Sequence, residues 1–259
     1  MPKRPGPDTG ALPWLDGFEQ NDYSRLWDSK RIEAEAQTRI LTGWVKPGES
    51  YLDLGGGFGR VARTIEPFFH RAALIDLTKR NLWMAKKNLK HTEIIRGDVS
   101  NIPARDSSFD FITMIRVVHL LPDPSRTMRE ILRVSKDEGI LVMSVPNLAV
   151  NCAIRDLDPG VLSGIRHILP TYGPVVWPYG QRCIFSPHKL FVPKEFKLTG
   201  RRGTGLFDNF VGKSLNRFPQ LHLLDVATSP FWFIKLDVFL RFEIRKSSGG
   251  RTFSNTKRD

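Results

Sequence analysis

With 259 residues and 41% hydrophobic content the chain can bury one large core, and its 10% aromatic share with six tryptophans excludes wholesale disorder. A formal net charge of +12 turns attention to anionic partners: RNA, anionic lipid headgroups or an acidic metabolite. The start Met1-Pro2-Lys3-Arg4-Pro5 lacks the apolar core of a secretory signal, no apolar run is long enough to span a bilayer, and Cys152 and Cys183 supply neither a disulfide framework nor a zinc cluster, so the expectation is a cytoplasmic protein with reduced thiols and no resident metal.

Residues 1–22, rich in proline, read as a flexible arm, with order beginning at Tyr23. From Ser29 to Trp44 the positions Ile32, Ala36, Ile40 and Leu41 recur at helical spacing and predict an amphipathic helix, ended by Pro47-Gly48. Tyr51-Leu52-Asp53-Leu54 reads as an apolar strand that enters Gly55-Gly56-Gly57-Phe58-Gly59, after which Arg60 to Ile65 resume as a helix. A strand, a glycine turn and a helix N-terminus together present bare backbone and unpaired N–H groups to a small polar ligand. The dinucleotide spacing G-x-G-x-x-G finds Gly55 and Gly57 but meets Arg60 in its third slot, and the Gly-Lys-Ser/Thr of a phosphate loop is missing.

Arg71 to Asp76 reads as a second apolar strand ending in an acid, about twenty residues past the glycines, where ribose hydroxyls would be met. Thr78 is expected to cap the next helix, whose apolar positions are Leu82, Ala85 and Leu89 and whose outer face carries Lys79, Arg80, Lys86, Lys87 and Lys90. A third strand, Glu93 to Arg96, leads to Gly97-Asp98-Val99, an acid able to accept from an exocyclic amine beside an apolar residue able to pack on a purine. Phe109 to Ile115 is the fourth strand, Asp123 and Pro124 open a helix, and Gly139 to Val145 is the fifth strand, stopped by Pro146. Strands alternating with helices imply a parallel sheet covered on both faces.

Asp53-x-Gly55-x-Gly57-x-Gly59, Gly97-Asp98-x-x-x-Ile102-Pro103, Phe109-Asp110, Arg116-Val117-Val118-His119 with Pro122-Asp123-Pro124, and Glu130-Ile131-x-Arg133-Val134 before Gly139 resemble, in order, the motifs of class I S-adenosylmethionine-dependent methyltransferases of the ubiquinone and menaquinone biosynthesis type. The resemblance covers roughly Gly48 to Pro146. It implies an α/β fold: a Rossmann-like, seven-stranded, mostly parallel sheet with helices on both faces, an antiparallel last strand and an inserted lid after strand five. It also implies S-adenosyl-L-methionine as cofactor. Gly55, Gly57 and Gly59 would meet its methionine part, Asp53 its ammonium indirectly, Asp76 with Leu77 the ribose, and Asp98 with Val99 the adenine; Arg116, leaving strand four, completes the implied cofactor set. Gly56 departs from the family, which more often has cysteine, serine or threonine there.

Past Pro146 the resemblance fades. The methyltransferase domain is expected over 23–245, with 151–219, rich in proline and aromatics, covering the substrate. Leu221 to Thr228 and Val238 to Arg245 read as closing strands, the latter alternating as a half-buried antiparallel edge, and 246–259 as a flexible basic tail. His119, just past strand four and expected to titrate near neutrality, is the candidate general base, with Tyr172, Tyr179 and His188 weaker ones. The favoured reading is methyl transfer to a small hydrophobic or anionic acceptor, quinone- or lipid-like, with the basic surface compatible with an anionic membrane or RNA. An RNA methyltransferase and a non-catalytic cofactor- or RNA-binding protein stay open, and a nicotinamide oxidoreductase is disfavoured by Arg60.

Overall fold

The computed structural model describes Ser24, Trp27 and residues 30–147, 191–204, 221–231 and 237–246. Helix α1 (Arg31–Trp44) buries Ile32, Ala36, Ile40 and Leu41, the row expected from spacing, and with them Glu33 and Gln37. Strand β1 (Gly48–Leu54) runs into the glycine turn and α2 (Arg60–Ile65); β2 (Phe69–Asp76), α3 (Lys79–Asn88), β3 (Thr92–Arg96), β4 (Phe109–Met114), α4 (Pro124–Val134) and β5 (Ser135–Pro146) follow. Asp123 caps α4 as expected, its side chain accepting from Arg126 N–H, with Pro124 in the first turn, where a missing N–H costs nothing.

The sheet order is β3-β2-β1-β4-β5-β7-β6, with β6 at Phe196–Thr204 and β7 at Asp237–Ile244. β1 through β5 pair in parallel, and β7 runs antiparallel to both its neighbours. The chain winds outward from β1 through β2 to β3 and then returns to β4 on the other side of β1. That reversal opens a crevice at the carboxyl ends of β1 and β4, where ligands of such sheets bind. One face is packed by Leu52, Leu54, Ile112 and Met114 against Met128, Ile131 and Val134 of α4. The other is packed by Tyr51, Leu74 and Phe111 against Leu41, Val61, Ile65 and Ala85 from α1, α2 and α3. Since both faces are covered, the middle of β1 reads as an unbroken run from Tyr51 to Leu54, each at most 1% exposed, and at that depth Asp53 stands out.

Three expectations are corrected. Leu221–Ala227 is a helix, α5, packed against α1; its short apolar run fits either period, and the helix prevails in contact with α1. The sixth strand is Phe196–Thr204, inside the stretch assigned to the substrate cover, where Lys197, Arg201, Arg202 and two glycines hide a half-buried alternation. Val238, Leu240, Phe242 and Ile244 of β7 are buried as expected, but Phe239 is buried too, on the other face, because β6 takes the edge and β7 lies inside the sheet. Lys246 N–H donates to Asp137 at 2.9 Å, so the chain is still tied to the fold at that residue. Residues 1–22 and most of 151–219 lie outside the described residues. No helix among the described residues is long and apolar enough to cross a membrane.

Candidate functional site

The glycine turn sits at the mouth of the crevice, and its glycines answer different demands. Gly55 has φ +63°, and a Cβ there would stand 2.4 Å from Val117 Cγ2, so the turn closes directly on the chain leaving β4. Gly57 has φ +56°, but a Cβ there would meet only Asn81 Nδ2, at 3.9 Å; this position faces open space. Gly59 caps α2, backed by Leu89. The departure at Gly56 has a cause in the packing, since a side chain there would collide with Leu74 Cδ1 at 2.6 Å and Asp53 Oδ2 at 2.7 Å.

Asp76 ends β2 beside this turn. Its Oδ2 accepts from Gly57 N–H at 2.9 Å, and its Oδ1 accepts from Thr78 N–H at 2.9 Å and from the Thr78 hydroxyl. Thr78 occupies the cap position of α3, yet its hydroxyl serves Asp76 instead of the helix, a correction to the expected cap. Asn81 donates to that hydroxyl at 2.9 Å and fixes its proton towards the carboxylate. Leu77 is half-buried, its carbonyl accepting from Arg96 Nε at 3.1 Å. Asp98 is exposed, with Oδ1 accepting from Ser100 N–H at 2.8 Å; Val99 turns into the core, 6% exposed. The loop carrying Asp98 is tied to α4: Glu130 accepts from Ile102 N–H at 2.8 Å, and Arg133 donates to the Ile102 and Ala104 carbonyls and to Glu130.

Beneath the turn lies Asp53. Thr113 donates to its Oδ1 at 2.7 Å, and Tyr51 hydroxyl pairs with Thr113 at 2.6 Å, so one oxygen is held by a chain of hydroxyls. Oδ2 is buried and makes no well-formed hydrogen bond, and the Ala62 backbone N–H lies close enough to the carboxyl to lower its pKa. Burial raises the carboxyl pKa to about 7, against the lowering effect of Thr113 and Arg60. A buried carboxylate oxygen without a well-formed hydrogen bond, next to an open backbone turn, is the complement of a ligand bearing a cationic amino group.

Arg116 leaves β4 at φ +61°, its N–H donating to Ser144 Oγ at 2.8 Å. Its guanidinium, assigned to the cofactor from sequence, donates to Glu33 Oε1 at 3.1 Å and to Asp237, joining α1 and β7 to the crevice. Arg60, the residue in place of a third glycine, donates to Gln37 at 2.7 Å and lies 3.7 Å over the Trp27 ring. Sequence reasoning missed this network; Glu33 and Gln37, sharing the apolar face of α1, were the signal. His119 sits in a short turn at Val118–Leu120, with Nδ1 buried and unpartnered. Burial and the Arg116 cation push its pKa down to about 3, so the imidazole is neutral throughout the physiological range, against the expectation of a group titrating near 7. Tyr172, Tyr179 and His188 lie outside the described residues.

Residues 52–143 match the family described as Methyltransferase domain. A demethylmenaquinone methyltransferase of Thermotoga maritima is 40% identical over 147 residues, covering 50% of this chain and 63% of that protein. A phthiotriol/phenolphthiotriol dimycocerosates methyltransferase of Mycobacterium ulcerans is 31% identical over 88 residues, 34% of this chain and 32% of that protein. The chain spans less than two thirds of the length of these curated relatives. Among solved structures, an S-adenosylmethionine-dependent methyltransferase of Thermotoga maritima, described as a possible histamine N-methyltransferase, superposes at TM-score 0.57 with 19% identity, covering 88% of this chain and 98% of that one. The cyclase SpnF also superposes, at TM-score 0.53 with 15% identity over 81% of this chain and 80% of that one, so the fold by itself does not decide the chemistry.

Proposed function

We propose that this protein, whose residues 52–143 match the family described as Methyltransferase domain, is a class I S-adenosylmethionine-dependent methyltransferase that transfers a methyl group to a small hydrophobic acceptor of the quinone or lipid class. The observation that carries the reading is the pairing of a buried Asp53 oxygen, without a well-formed hydrogen bond, with the open turn at Gly57, flanked by Asp76 and Asp98 at the ends of successive strands. Asp53 would face the donor's ammonium, Asp76 its ribose and Asp98 its adenine. S-adenosyl-L-methionine supplies an already activated methyl group. The protein's part is then to bind, align and exclude water, and orientation of this kind contributes about 7–11 kcal/mol to such reactions. Nothing in this reading requires a charged base, and His119, neutral with Nδ1 buried, does not supply one.

The acceptor class is supported by what the similar proteins are named for, quinone and lipid methylation, and by the aromatic, proline-rich composition of 151–219 outside β6, which we assign to covering the acceptor. Incubation with the methyl-labelled donor and separate lipid, polar-metabolite and RNA fractions tests it. Label in the lipid fraction is expected; label confined to RNA overturns the acceptor class, and no label anywhere alongside tight donor binding points to a binding protein.

A further inference from the structure

The groove between α3 and the edge strand β3 meets the site just described only at Leu89, behind Gly59, and at Arg96, on the Leu77 carbonyl, and its composition is distinctive. Its volume is about 620 Å³. Half-buried Leu82, Leu89 and Ile94 give it an apolar wall, and exposed Lys86, Lys90 and Arg96 give it a cationic rim. Trp83 stands beside them 61% exposed, with Lys87 Nζ 3.3 Å from its ring centroid. From Leu77 to Thr92 the chain carries five lysines and arginines and no acid. Glu93 does not offset this charge, because alternation along β3 places Thr92, Ile94 and Arg96 on the groove and Glu93 on the opposite face.

We infer that this groove docks the protein on an anionic bilayer. A tryptophan beside half-buried aliphatic side chains, ringed by lysines, suits the boundary between headgroups and acyl chains: the indole and aliphatic wall enter it while the ammonium groups stay at phosphate level. A single-stranded nucleic acid is the poorer fit, since one face of the Trp83 ring is already covered by Lys87 and an apolar wall adds nothing to phosphate binding. The groove ends at Arg96, which is paired in register with Asp76 and holds the Leu77 carbonyl, so the docked face adjoins the cofactor edge of the sheet. That adjacency gives an acceptor dissolved in the bilayer a short path to the crevice, a consequence that rests on the proposed acceptor class; the docking itself does not.

The test is flotation of the full chain with vesicles, without cofactor or turnover, so that its failure leaves the methyl-transfer reading standing. Vesicles of phosphatidylcholine with about one third phosphatidylglycerol should carry the protein and pure phosphatidylcholine should not, with binding weakening as salt rises. Each basic residue at such a surface contributes about fivefold, so Lys86→Glu/Lys90→Glu should lower partitioning at least about tenfold. Trp83→Ser should lower it about threefold or more, and Lys46→Glu, an exposed charge at the amino end of the sheet, should stay within about twofold of wild type. Absence of binding to anionic vesicles, wild-type binding by the double variant, or tighter binding to an oligouridylate than to the vesicles would each overturn the inference.

Discussion

Gly57 N–H donates to Asp76 Oδ2 at 2.9 Å, joining the glycine turn after β1 to the end of β2 across nineteen residues of sequence. The same carboxylate holds the start of α3 through Thr78, so one side chain sets the distance between the two loops assigned to the cofactor. Asp76→Asn keeps an acceptor for Thr78 but turns an amide NH2 against Gly57 N–H. Leaving that donor unmatched costs about 1–3 kcal/mol. Calorimetry should show affinity for S-adenosylmethionine at least tenfold lower in this variant, with a lowered unfolding midpoint; unchanged affinity would separate Asp76 from the cofactor.

Alanine at two glycines of one turn should destabilise for different reasons and to different extents. Gly57→Ala strains a positive φ but meets only open space, so a loss of about 1–2 kcal/mol in stability is expected together with near-complete loss of cofactor binding, since the methyl occupies the ligand's place. Gly55→Ala drives a methyl into Val117, adding about 1–3 kcal/mol of overpacking to the same strain. Val117→Ala should recover part of that loss and none of the loss at Gly57. Urea unfolding of the two double-mutant cycles measures both statements.

Asp53 predicts a pH dependence of stability. In the folded chain its carboxyl holds a proton up to about pH 7, raised mainly by burial, whereas an unfolded aspartate releases it near 3.9. The folded state therefore binds the extra proton between these values, and stability present below about pH 4 is lost as the pH rises through 7. Asp53→Asn removes this dependence. Wild-type stability relative to the variant should fall by roughly 3–4 kcal/mol between pH 4 and 8 in urea unfolding. His119, depressed to about 3, acts in the opposite sense below its unfolded value near 6.5, and it cancels because both proteins carry it. A flat difference would show that Asp53 is already ionised at low pH.

Arg116 bridges Glu33 of α1 and Asp237 of β7, both largely buried. Arg116→Met leaves two carboxylates facing each other without their shared cation, and breaking a buried pair in this way costs about 3–5 kcal/mol. Adding Asp237→Asn should restore most of it, because Glu33 keeps Lys30 Nζ at 2.9 Å and Asp237 is the carboxylate that loses its ion pair. If Arg116→Met instead loses cofactor affinity with stability unchanged, the guanidinium serves the ligand, as the sequence alone suggested.

Much of this was legible along the chain because the determinants are local. Apolar runs of strand length, glycines ahead of a helix, acids closing β2 and β3, and the Asp123-Pro124 start of α4 each depend on a few neighbouring residues, and the structure has them where spacing puts them. Right-handed crossovers constrain how the first five parallel strands connect, but the reversal that puts β4 beside β1 belongs to the tertiary fold. Leu221–Ala227, read as a strand, is a helix because a short apolar run satisfies both periods and only the neighbour it packs against chooses between them, whereas Phe196–Thr204, read as part of the substrate cover, is a strand whose alternation is hidden by basic residues and glycines.

What this sequence determined by itself is the parallel half of the sheet: a glycine turn and the acids that follow its strands, carried by nearby segments whose spacing leaves little freedom. What only the tertiary structure decided is the state of those groups. The ion pairs of Arg116 with Glu33 and Asp237 exist only because α1 and β7 come to it, and His119 reads as a base near neutrality until burial beside that arginine holds it neutral. Asp53 looks like any acid in a motif until two covered sheet faces strip it of water and leave one oxygen without a well-formed hydrogen bond. Charge state depends on distance and solvent exclusion summed over residues far apart in the chain, and no local pattern encodes that sum.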